Sequence, residues 1–256
     1  MLLHSRRFGL PRPEAVVCLH GVGQHGGIFE PLAQRLAAND HFVAALDLRG
    51  HGESGREPPW HTESHVADVL ATMEELGIER ATLIGHSFGG RVAAALAATA
   101  EERVARLVLL DPGIAIPPEL ALKYIEIDRL DWSFTTVDGA LNALLSSDRI
   151  VAAPRETVAE FVAGDVARGP DGRFRFGYTA GAAVVAWNEA AREPPPIARL
   201  PTLIVRPVAS FIDGRAQDRR YRDELGSALV IKPVPNGHNV LWESAALTES
   251  AIEAFV

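Results

Sequence analysis

Apolar and polar positions follow two alternating rhythms along the chain. Short unbroken apolar runs recur between stretches in which apolar residues return every three or four positions. The first pattern suits strands buried on both faces and the second suits amphipathic helices. Strands are expected at Ala15 to Leu19, Phe42 to Leu48, Ala81 to Ile84 and Leu107 to Leu110. Helices are expected at Ile28 to Ala38, Thr62 to Leu76 (closed by Gly77) and Arg91 to Ala100. This alternation predicts an α/β fold with a mostly parallel central sheet and helices on both faces. Asp111-Pro112 stops the fourth strand. From there to Pro194-Pro195-Pro196 the pattern is helical, at Leu120 to Leu130, Val137 to Leu145, Thr157 to Val166 and Ala182 to Arg192, without a convincing buried strand. Strands resume at Thr202 to Arg206 and Leu229 to Val234, with a helix near Arg219 to Leu225 between them and a last helix from Trp242 onward. The expected domains are a core of residues 1–112 and 197–256 and an inserted helical unit, 113–196.

The chain has 256 residues, 47% hydrophobic and 23% charged, enough to bury nearly three quarters of its unfolded surface and unlike a disordered or low-complexity chain. A net charge of −8 supplies no basic field for nucleic acid or an anionic membrane, so neither is expected as a partner. Arg6, Arg7 and Arg12 interrupt the start before a signal peptide could form, and no window approaches about 18 uninterrupted apolar residues. A cytoplasmic protein acting on a small molecule is the expectation. The lone Cys18 lies in a buried run and forms no internal disulfide. Nothing in the sequence assigns an oligomeric state.

Three segments carry candidate chemistry. Gly85-His86-Ser87-Phe88-Gly89 fits G-x-S-x-G between an expected strand and an expected helix, where a serine on a sharp turn needs small neighbours and a nearby helix N-terminus favours developing negative charge. The Phe88 amide would point into such a site. His20-Gly21-Val22-Gly23 follows the first strong strand, and the Val22 amide would complete an oxyanion hole there. Pro235-Asn236-Gly237-His238-Asn239 sets an imidazole at the same sheet edge, able to take a serine proton near neutral pH. A rival reading exists, because Gly21-Val22-Gly23-Gln24-His25-Gly26 also fits the G-x-G-x-x-G of dinucleotide-binding sites, with Asp47 ending the next strand. That reading, an NAD(P)-dependent oxidoreductase, leaves Ser87 and His238 without a use. His61 and His65, four apart, are read as a solvated helix face, and no metal or cofactor is expected.

Taken together, these residues resemble the α/β-hydrolase family, specifically its cap-bearing, esterase-like members, over nearly the whole chain. His20 to Gly23 looks like the oxyanion loop, Asp47-Leu48-Arg49-Gly50-His51-Gly52-Glu53-Ser54 like the family's DxRGxGxS segment, Gly85 to Gly89 like the nucleophile elbow, and Pro235 to His238 like the catalytic-histidine loop. The resemblance implies an α/β-hydrolase fold shortened at its first edge, since too few residues precede Ala15 for both early strands, and a cap formed by 113–196. It implies Ser87 as nucleophile, His238 as base and an ester or related acyl bond of a small to medium apolar substrate. C–C hydrolase, lactonase and hydroxynitrile lyase activities share this constellation, as does a small-ligand receptor. A serine at 87 argues against the branches that need a carboxylate nucleophile. Where many members carry the triad acid, this chain reads Pro207-Val208-Ala209-Ser210-Phe211, so Asp111 and Asp213 are both candidates. Asp111 is preferred because its strand and Pro112 fix it beside the elbow strand. The inserted unit holds eight of the chain's 17 aromatic residues, and Trp132, Phe134 and Trp187 are taken as candidate substrate contacts. Arg173 and Arg175 flank Phe174 there, but substrate charge is left unassigned.

Overall fold

The apolar runs assemble into a seven-stranded sheet in the computed structural model, which describes residues 1–256. The elements follow as β1 (Ser5–Phe8), β2 (Glu14–Leu19), α1 (Glu30–Ala38), β3 (Val43–Leu46), α2 (Thr62–Glu75), β4 (Arg80–His86), α3 (Phe88–Thr99) and β5 (Val104–Leu110). After the inserted segment come β9 (Thr202–Pro207), α8 (Arg215–Leu225), β10 (Leu229–Val234), α9 (Val240–Glu243) and α10 (Ala245–Glu253). Spatial order in the sheet is β1-β3-β2-β4-β5-β9-β10. Only β1 runs antiparallel, against β3. A single strand therefore precedes β2, which gives the shortened edge its form.

Alternate residues of each strand face opposite layers. Val17, Leu19, Ala44, Leu46 and Leu83 pack with α2, α3 and α8, while Val16, Cys18, Val43, Ala45 and Ile84 pack with α1 and α10. Because both faces are covered, these strands are apolar throughout rather than alternating. Burial also pushes the Cys18 thiol well above its usual range, so it stays neutral.

Residues 113–196 contribute α4 (Pro118–Asp128), β6 (Ser133–Phe134), α5 (Val137–Leu145), α6 (Arg155–Asp165), β7 (Ala167–Arg168), β8 (Phe174–Arg175) and α7 (Ala180–Ala191). The helices lie within two residues of the expected ends. The segment is not purely helical, however: β6, β8 and β7 form a small antiparallel sheet. Two-residue strands are too short to produce a period-two signal. The expected last helix is likewise two, separated at Ser244.

Candidate active site

All strand ends that carry the three sequence motifs open on one edge of the sheet. Ser87 sits between β4 and α3 with φ 52° and ψ −119°, a region that side-chain-bearing residues rarely adopt. The turn is tight because backbone crowds it on both sides. A Cβ at Gly85 would lie 2.4 Å from the Gly89 carbonyl oxygen, and one at Gly89 would lie 2.2 Å from that of Leu19. Ser87 is therefore lifted out of the strand line into a cleft that it shares with Val22, His86 and His238.

The imidazole of His238 donates through Nδ1 to Asp111 Oδ2 at 2.6 Å. That contact leaves Nε2 as the ring's unprotonated nitrogen when the residue is neutral. No hydrogen bond joins Ser87 Oγ to that nitrogen. Asp111 follows β5 with φ 40° and is fully buried. Burial alone would raise its pKa, but the His238 hydrogen bond and charge, the Arg206 guanidinium and the Ser210 hydroxyl together hold it below the usual carboxylate value. Arg206 Nη1 donates to Oδ1 at 2.7 Å and Ser210 Oγ to Oδ2 at 2.5 Å. Asp213 lies elsewhere: its carboxylate is held by the Arg215 guanidinium on an exposed turn.

Behind the cleft a line of buried amides joins its walls. Gln24 Oε1 accepts from the Gly21 N–H, Gln24 Nε2 donates to Asn239 Oδ1, and Asn239 Nδ2 donates to the Arg149 carbonyl. His86 donates through Nε2 to the His238 carbonyl at 3.0 Å while Nδ1 faces the Gln24 amide. Burial, and then the neighbouring His238, pushes its pKa down to about 3, so it remains neutral. His20 donates through Nδ1 to the Gly21 carbonyl and accepts the Leu48 N–H at Nε2, which fixes the turn before Val22. The Val22 N–H has no partner, and that of Phe88, opening α3, has none within the helix. Glu243 accepts N–H groups from Val151, Ala152 and Gly237, and thus ties residues 151–152 to the His238 loop.

The inserted segment supplies one wall of the cleft, including Trp132, Phe161, Phe176, Tyr178 and Trp187. Two of the three expected aromatic contacts, Trp132 and Trp187, line it. Phe134 does not. Its ring packs edge-on against Trp132 and Phe176, because β6 turns it into the layer behind the wall. Phe88 likewise turns its side chain away, against His65 at 5.2 Å between ring centres. That contact corrects the solvated reading of His65, which faces α3 and is buried, its pKa pushed down to about 3 mainly by burial. His61 is exposed as expected. Arg173 and Arg175 point away from the cleft, bonded to Ser133 and to Asp131 and Asp171 respectively.

Asp47 is fully occupied by the fold. Its Oδ1 accepts the Gly26 N–H and Arg6, and its Oδ2 accepts the Glu53 N–H and faces His4 Nδ1. Nothing remains to take a ribose hydroxyl, so the dinucleotide pattern at Gly21 to Gly26 is a geometric coincidence. Arg149, Arg206, Ser210, Gln24, Asn239 and Glu243 were not foreseen from sequence. The one signal available was the Ser210 segment, where an acid is lacking.

A mostly parallel sheet with the Ser87 turn and the His238 loop at one edge is the architecture of a hydrolase, and the chain belongs to the α/β-hydrolase fold family, whose pattern it matches over residues 14–245. It is 33% identical over 250 residues to Lipase LipV of Mycobacterium tuberculosis, covering 93% of this chain and 91% of that one. Esterase YbfF of Escherichia coli is 36% identical over 96 residues, 38% of this chain and 37% of the other. Among solved structures, E-2-(acetamidomethylene)succinate hydrolase superposes with a TM-score of 0.86 at 24% identity, covering 99% of this chain and 94% of that one, a likeness of fold. No helix is long and apolar enough to cross a membrane.

Proposed function

We propose that the protein is a serine esterase that cleaves the ester bond of a small to medium, largely apolar substrate through an acyl-enzyme on Ser87. The observation that carries this reading is the His238 imidazole, bonded on one side to buried Asp111 and open on the other to the cleft into which Ser87 is raised. His238 Nε2 takes the Ser87 proton as Oγ attacks the ester carbon, and the carbonyl oxygen becomes an oxyanion between the N–H groups of Val22 and Phe88. Collapse breaks the bond to the alcohol oxygen, which leaves with the proton held by His238. A water then gives its proton to His238 and attacks the acyl carbon; the acyl C–Oγ bond breaks, Oγ takes that proton back from His238, and the carboxylic acid leaves. Asp111, kept ionised by Arg206 and Ser210, holds the Nδ1–H tautomer that makes Nε2 the base. Residues 113–196 serve as a cap whose aromatic residues clasp the apolar part of the substrate. The lipase and esterase relatives favour ester cleavage over the other reactions of this constellation.

A fluorophosphonate probe tests the nucleophile. It should label the wild-type protein at Ser87, and Ser87→Ala should abolish labelling and lower p-nitrophenyl ester turnover by about 10³-fold or more. Labelling retained in Ser87→Ala would overturn the assignment.

A further inference from the structure

The cleft contains one permanent cation and no carboxylate. Arg149 lines it, and no aspartate or glutamate does. The guanidinium lies over aromatic rings, 4.9 Å from the centre of Tyr124 and 5.6 Å from that of Trp187. It is held from behind by Asp128, which is fully buried, accepts Nη2 at 2.8 Å and is itself fixed by the Trp187 indole N–H at 2.6 Å. A guanidinium has five N–H donors on two edges. Asp128 uses one of them, and Nε and Nη1 have no protein partner. Nor are they sealed in, since neither is among the buried polar atoms left without a partner. Tyr178 adds a second donor on the same wall: its hydroxyl makes no protein hydrogen bond and feels the charges of both Asp128 and Arg149.

An arginine paired on one edge only, in a cleft that offers it no carboxylate of its own, is poised for a second planar acceptor. We propose that Arg149 makes this cleft specific for substrates bearing a carboxylate a few bonds from the scissile carbonyl, with the Tyr178 hydroxyl as a further donor to that group. Asp128 keeps the half-buried guanidinium paired, so the cation is oriented in advance rather than recruited on binding. Arg149 is positioned relative to the catalytic centre by its own backbone, whose carbonyl is bonded to Asn239, the residue after His238. The inference rests on the serine-esterase reading for the identity of the bond cleaved, but its test does not need turnover.

4-Phenylbutyrate and its neutral amide form a matched pair, alike in shape and differing in charge. Titrated calorimetrically into the wild-type protein, the carboxylate should bind about 10- to 100-fold more tightly, the range of a charge-assisted hydrogen bond. Arg149→Gln should bring the two affinities to within about threefold. So should Arg149→Gln combined with Asp128→Asn, which leaves no unpaired buried carboxylate and guards against misfolding of the single variant. Equal affinities in the wild-type protein, or a carboxylate preference that survives both substitutions, overturns the inference. Fluorophosphonate labelling of the same samples separates the two readings. Labelling without a carboxylate preference removes the inference alone, and a carboxylate preference lost with Arg149 but without labelling supports the anion site while removing the acyl-enzyme.

Discussion

Replacing Asp111 by Asn changes one oxygen for an amide nitrogen of nearly equal size, and the surroundings dictate which way the amide turns. Oδ1 accepts from the Arg206 guanidinium at 2.7 Å, while Oδ2 accepts from Ser210 and His238 at 2.5 and 2.6 Å. An asparagine has one acceptor oxygen, and a permanent cation in a buried site claims it over a neutral imidazole or hydroxyl. The amide NH₂ then faces His238 Nδ1 and forces the proton onto Nε2, the nitrogen that must be free to take the Ser87 proton. A loss of about 10⁴ in kcat is expected, because the geometry is kept and only the tautomer is wrong. Arg206 keeps Asp218 and Gln217 as partners, so the fold should survive with a stability cost of no more than about 3 kcal/mol. Asp213→Asn should lose less than about tenfold, since its carboxylate only meets Arg215 at the surface. The assay is kcat on a p-nitrophenyl ester at a temperature where each variant is fully folded. Asp111→Asn activity within tenfold of wild type, or the larger loss falling on Asp213→Asn, would refute the reasoning.

Two further substitutions probe packing and protonation. Gly89→Ala should slow fluorophosphonate labelling by at least about 10²-fold, because its Cβ would meet the Leu19 and His20 carbonyl oxygens at 2.2 and 2.6 Å and must displace the segment leading to Val22. Gly164→Ala on α6, where a Cβ meets nothing within 4 Å, is the control and should label at the wild-type rate. Asp165, whose carboxyl is pushed up to about 6 chiefly by burial, gives a pH signature. Raised above its unfolded value, it contributes stability that is full below about pH 4 and is lost as pH rises through 6. Denaturant melts should therefore show Asp165→Asn matching wild type near pH 4 and exceeding it by about 3 kcal/mol above pH 7; a difference that does not change with pH would contradict this.

The core was legible because its strands are buried on both faces, and a continuous apolar run such as Leu107 to Leu110 has few other places to go. The Ser87 turn and the His238 loop were legible for another reason: each needs particular small or turn-forming residues in immediate sequence. What escaped was whatever depends on pairing across the fold. Arg206 and Asp111 stand 95 positions apart, and nothing local to Arg206 marks it as the partner of that carboxylate. His65 misled because a histidine at a helix start carries no mark of the α3 face it meets. Phe134 misled because composition tells that the inserted segment is aromatic and not which ring turns inward.

Glu243 ties residues 151–152 to the loop bearing His238 with four N–H groups, those of Val151, Ala152, Gly237 and Asn239, on a single buried carboxylate. Separating the two would leave that buried carboxylate short of donors, so this seam resists opening. A second anchorage stands at Tyr178, where Gly52 donates to the Gly177 carbonyl and Thr179 to that of Gly50. Between them α6 lies along an open groove against α1, lined by Thr157, Glu160 and Phe161 on one side and Glu30, Pro31 and Gln34 on the other. Groove and Ser87 cleft thus share a partition to which the inserted segment contributes Phe161 and the core contributes Trp242.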